Sequence, residues 1–199
     1  MVLFPPTLRI PYKDELPKDI TILNRWKASK QANIVAGYQL TPVPINEDSN
    51  FKFYAQINVN NQQLWTLFIA LANELPEDVT LVFGIQDNEL QYRDFSSKTA
   101  LLKSLIFYQK ELTQDPYFQW GLLYQSNEGL TEVFITPFKY LQFWGNDQSV
   151  FQSIMKQHGL EEIPNIDFID AYLKITFSLQ SIDNSTLDSE ELMEKLKHL

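Results

Sequence analysis

Residues 51–75 read FKFYAQINVNNQQLWTLFIALANEL, and the pattern changes halfway. Up to Val59, the apolar residues Phe53, Ala55, Ile57 and Val59 fall on every second position, the period of a strand with one buried face. From residue 62 the spacing turns helical. Leu64, Leu67, Phe68, Leu71 and Leu75 form one stripe, which Trp65, Ile69 and Ala72 widen. Asn60 or Asn61 can cap this helix, and Pro76 stops it. A strand feeding directly into a wide-faced helix predicts a central helix lying against a sheet.

Toward the C-terminus the same reading predicts strands over 79–85 and 90–95 around a turn at 86–89. A helix capped by Ser96 or Ser97 then runs to about Leu112, with Leu101, Leu102, Leu105, Ile106 and Leu112 inward. A second hairpin pairs 118–124 with 130–136, and 138–144 forms a further strand. Its aromatic residues lie on both faces. Core packing is the first reading of Tyr140 and Trp144, and an exposed partner anchor the second. Asn146 or Asp147 caps a helix through His158, where Gly159-Leu160 resembles a Schellman ending. A helical turn at 165–171, a last strand at 172–179 and a polar connector at 181–188 follow. Asp188 and Glu191, at capping-box spacing, open a terminal helix with Leu192, Leu196 and Leu199 on one side.

Toward the N-terminus, residues 1–50 hold Pro5, Pro6, Pro11, Pro17, Pro42 and Pro44, which favour extended chain and turns. Short strands are predicted at 7–10 and 34–40, and a loop at 45–50. The fold expected is therefore α+β: a single domain with a largely antiparallel sheet and helices packed on one face. Residues 1–50 are an extended or strand segment packed on that domain. Residues 51–180 are its core, and 181–199 a connector with a C-terminal amphipathic helix.

Composition narrows the chemistry. In 199 residues there are two histidines, six isolated glycines and no cysteine. Disulfides and thiolate chemistry are excluded, and an imidazole- or thiolate-based metal site nearly so. The glycines form neither a phosphate-cradling loop nor a nucleophile elbow. His158, in a last helical turn, suits the negative end of the helix dipole better than a catalytic role. Asp87/Glu89 and Asp167/Asp170 are the tightest carboxylate pairs for an oxygen-ligand cation, without EF-hand spacing. Glu128 and Glu132 with another acid are the candidates for glycosidase-like work. Arg25-Trp26-Lys27, with Lys18 and Lys30 nearby, reads as a solvated face rather than a nucleic-acid footprint in so acidic a chain.

The net charge of −9 is uneven. Residues 1–50 carry +1, residues 51–150 carry −5, and residues 151–199 carry −5. That field disfavours nucleic acid and anionic membranes and favours basic partners. Residues 1–6 lack the features of a secretory leader, and the apolar run 64–71 is too short to span a bilayer, so a cytoplasmic setting is expected. The expected function is that of a non-catalytic acidic protein-binding protein, such as a bacterial immunity protein occluding a basic toxin, with no cofactor and no metal. The expected contact residues are Asp87, Glu89, Glu128, Glu161, Glu162, Asp167 and Asp170. Charge reversal at Asp167 and Asp170 should slow association without lowering the melting temperature. The alternative is a carboxylate-based hydrolase with an oxygen-bound divalent metal.

Overall fold

The computed structural model describes residues 1–44, 50–127 and 129–199. In chain order its strands are β1 (Leu8–Arg9), β2 (Gly37–Pro42), β3 (Phe53–Asn58), β4 (Asp78–Ile85), β5 (Gln91–Tyr92), β6 (Ser96–Ser97), β7 (Phe118–Ser126), β8 (Gly129–Ile135), β9 (Leu141–Gly145) and β10 (Ile175–Thr176). The helices are α1 (Ile20–Gln31), α2 (Asn61–Ala72), α3 (Lys98–Leu105), α4 (Gln109–Gln114), α5 (Gln148–Gln157), α6 (Leu179–Ile182) and α7 (Ser189–Lys197). Eight strands form one antiparallel sheet in the order β2-β3-β9-β8-β7-β4-β5, with β6 also on β4. β1 and β10 pair separately. The α+β reading holds, in a single domain.

The register explains the core. Leu40, Ala55, Phe143, Val133, Leu122 and Leu81 stand in one row across the sheet. Tyr38, Ile57, Leu141, Ile135, Trp120 and Phe83 stand in the next. Directly opposed residues share a face, so both rows point the same way. Onto them pack Leu64, Leu67, Phe68 and Leu71 of α2, all without solvent exposure. Phe68 meets Trp120 at 4.2 Å between ring centroids, and Phe151 of α5 stacks on Phe143 at 5.4 Å. β3 and β4 lie on either side of the intervening β9, β8 and β7, so α2 must cross the sheet to join them. That is the central position its broad apolar stripe requires.

Several predicted caps are in place. Ser97 Oγ accepts from Ala100 N–H at 3.1 Å, and Asp147 Oδ1 from Val150 N–H at 3.0 Å. Asp188 and Glu191 form the capping box of α7. Gly159 adopts φ 69°, and Leu160 N–H reaches Met155 O at 2.9 Å, completing the Schellman ending.

Other expectations are corrected. Residues 1–50 are not extended throughout, because α1 lies within them. Asp19 starts this helix by accepting from Thr21 and Ile22 N–H at 2.7 and 3.0 Å. The helix expected from Ser97 to Leu112 breaks at a 3₁₀ turn, Ile106–Tyr108, and resumes as α4. The strand expected from 138 begins at Leu141. Pro137 and Phe138 occupy the hairpin turn and Lys139 follows at φ 60°, with Lys139 N–H bonded to Thr136 O at 3.0 Å. Only Ile175–Thr176 of the expected 172–179 strand pairs. The expected loop at 45–50 falls, but for Asn50, outside the described residues. Among the described residues no helix is long and apolar enough to cross a membrane.

Candidate functional site

The second face of the sheet follows from the same register. Thr41, Tyr54, Trp144, Glu132, Leu123 and Thr80 form one row. Gln39, Gln56, Gln142, Phe134, Gly121, Val82 and Tyr92 form the next. One end of this face is covered by the chain around 163–171. There Asn58 donates to Asp167 O at 2.8 Å, Tyr140 OH donates to Asp170 Oδ2 at 3.1 Å, and Tyr140 packs with Ile166 and Phe168. The other end is partly open among the described residues: Phe134 and Val82 are buried, Tyr54, Glu132, Leu123 and Trp144 are half-buried, and Tyr92 and Phe95 are 63% and 61% exposed. Thr80, Tyr92, Arg93, Asp94, Phe95, Leu123 and Gln125 line a depression of about 400 Å³ beside it, and the Arg93 guanidinium donates to the Leu196 and Leu199 carbonyls.

The Phe134 ring sits over Gly121, its cross-strand neighbour, in space that a side chain there would fill. A Cβ there would run into the Val133 carbonyl oxygen and come within 2.8 Å of the Phe134 ring. Gly121→Ala is therefore expected to destabilise the fold by about 1–3 kcal/mol, read by denaturant unfolding, as forced overpacking does elsewhere.

At the centre of the open face stands Glu132, between Trp144 on β9 and Leu123 on β7. Trp144 in turn packs on Tyr54, with ring centroids 4.9 Å apart and planes 39° apart. Gln142 fixes Tyr54 by donating to its hydroxyl at 2.6 Å. Burial pushes the Tyr54 phenol up to about 12, so it is neutral at physiological pH. The Glu132 carboxyl has neither an ion pair nor a hydrogen bond among the described residues, yet its oxygens retain access to solvent. Burial beside these apolar groups raises its pKa to about 7.

The acidic residues expected to make contacts are dispersed. Asp87 and Glu89 are exposed in the β4–β5 turn, with Asp87 at φ 66°. Asp87 shares a depression of about 440 Å³ with Arg25, Tyr172 and Lys174, which brings it to the segment carrying Asp167 and Asp170. Glu161 and Glu162 are exposed beyond the β2 edge, where Glu162 bridges Tyr38. Glu128 lies outside the described residues. Among those described, no three His, Asp or Glu side chains converge as metal ligands.

Asp167 is a clasp. Its Oδ2 accepts from Asn33 N–H at 2.7 Å and its Oδ1 from Tyr172 OH at 2.6 Å, tying the N-terminal segment to the 163–172 chain. Asp170 accepts from Tyr140 OH and from Ala171 N–H. These bonds argue against an unchanged melting temperature on charge reversal. Asp167→Lys is expected to lose about 2 kcal/mol, seen as a melting temperature lower by about 4–8 °C.

In the sequence, Glu132 reads only as one of a glycosidase-like set with Glu128 and another acid, and Trp144 chiefly as core. No family model matches the chain, and no curated protein or solved structure does either.

Proposed function

We propose that this chain is a non-catalytic binder of a basic protein and that the open end of its sheet face is the docking surface. Occlusion of a basic toxin by an immunity protein is the biological setting that suits such a binder. The carrying observation is Glu132, a half-buried carboxylate without a partner among the described residues, set between the half-buried side chains of Trp144 and Leu123. An isolated carboxylate in apolar surroundings is unfavourable in the free protein and becomes favourable when a cation meets it. Half-buried aromatic side chains around it supply the contact area typical of interface centres. The net charge of −9 adds long-range attraction, which raises association rates more than it deepens affinity. A cytoplasmic, reducing compartment suits a chain without cysteine.

The hydrolase alternative would draw on the raised pKa of Glu132, but among the described residues no second acid is placed beside it and no group of three metal-ligating side chains converges. The test is affinity purification of the tagged chain from the cells that encode it. A stoichiometric basic protein that dissociates as salt rises is the expected result. Its absence, with the bait folded and abundant, would overturn the proposal.

A further inference from the structure

We infer that Glu132, Trp144 and Tyr54 form a receptor for one arginine side chain of the partner. The inference rests on the basic-protein reading above and names the chemistry of its central contact.

Three features converge. Glu132 and Tyr54 are the two cross-strand neighbours of Trp144, so a carboxylate and a pair of packed rings meet on the same side of the sheet. Opposed positions bring Cβ atoms within about 5 Å, which is one guanidinium's reach. Each component also lacks the cation it favours. Elsewhere the chain satisfies such groups internally: Arg9 pairs with Glu15 and lies 4.6 Å from the Tyr12 ring centroid, and Lys174 lies 4.3 Å from that of Phe138. Among the described residues no cation makes a cation–π contact with Trp144 or Tyr54, and none pairs with Glu132. Finally, the Tyr54 hydroxyl accepts from Gln142, which orients its ring, and the hydrocarbon side chain of Leu123 stands opposite Glu132 on the β7 side.

Arginine fits this set better than lysine. Its planar guanidinium can stack on an aromatic face while its edge donates two parallel bonds to a carboxylate. It is also less strongly hydrated than an ammonium, so its transfer into a half-buried site is easier. The raised pKa of Glu132 agrees with a carboxylate that no internal cation stabilises.

The test uses the full chain and N-acetyl-arginine amide as the probe, at constant ionic strength and about pH 8, where Glu132 is ionised. The Trp144 indole N–H signal, assigned with Trp144→Phe, is followed by NMR as the probe rises to about 50 mM, the range suited to a millimolar complex. A saturable shift is expected. It should be at least about tenfold weaker in Glu132→Gln, whose spectrum must otherwise stay folded. The citrulline analogue, uncharged and nearly isosteric, should give none. Equal shifts with citrulline, equal affinity in Glu132→Gln, or no saturation would each overturn the receptor. So would equal or tighter binding of N-acetyl-lysine amide. Salt-sensitive capture of a basic protein despite any of these results would leave the broader reading standing without it, whereas loss of both would remove the two together.

Discussion

Trp144→Ala should weaken binding of the basic partner by about 100-fold or more, corresponding to about 2.7 kcal/mol. The side chain is half-buried, stands at the centre of the open row and packs at a tilt against Tyr54, so its removal deletes contact area and dismantles the ring pair together. The effect should appear mainly as faster dissociation. The acidic surface that steers encounter is untouched, and interface truncations act chiefly on residence time. Calorimetry and surface-binding kinetics with the purified partner measure both quantities. A change within about threefold would remove Trp144 from the interface, because a central aromatic anchor is worth far more than that.

The second large effect concerns stability. Glu132→Gln is expected to stabilise the free protein by about 2–3 kcal/mol at about pH 8, raising the melting temperature by roughly 5–10 °C. The Glu132 pKa is raised by burial to about 7 in the folded chain, above its ordinary value of 4.5. The native state therefore holds more protons than the unfolded state between those values. Stability contributed by this group is fully present below about pH 4.5 and is lost as pH rises through about 7. The advantage of the glutamine variant should consequently vanish toward pH 4.5, which thermal melts across the range would show. A constant advantage at every pH would mean that packing, not ionisation, separates the two side chains. Lys139 acts in the opposite direction: burial lowers its amine to about 7, although Asp115 partly opposes the shift. Its contribution rises from about pH 7 to 10.5, so these two groups together are least favourable near neutrality. A binder that improves on losing Glu132 would show stability given up for function.

Much of the scaffold is legible in the chain because its signals are local. The switch of period at residues 51–75, the caps at Ser97, Asp147 and Asp188, and the Gly159 ending all report on the backbone within a few residues. The helix α1 has a comparably local cap in Asp19 but no apolar stripe, since Ser29 is its buried residue, and the surrounding prolines favour an extended reading. The turn before β9 is hidden for a different reason. Lys139 takes a left-handed position usually given to glycine, and its amine turns inward to the Phe118 carbonyl at 2.7 Å.

The open face is the least legible feature. Tyr140 and Trp144 are similar in sequence context and share one side of the hairpin strand. Tyr140 is covered because the 163–171 chain folds onto it, a contact that no local pattern announces. Glu132 likewise reads as an ordinary solvated carboxylate until the register sets it between Trp144 and Leu123. The acidic composition points toward a basic partner and to exposed acids as its contacts, but it does not announce the hydrogen bonds that Asp167 and Asp170 make within the domain.

Hydroxyl-radical footprinting of the chain, alone and in complex with its captured partner, tests most directly whether the open sheet face is the docking surface. Strong protection of Trp144, Tyr92 and Phe95 on binding is the predicted result. Unchanged oxidation at these residues, with protection instead at Phe107, which is 83% exposed away from the open row, would contradict the account.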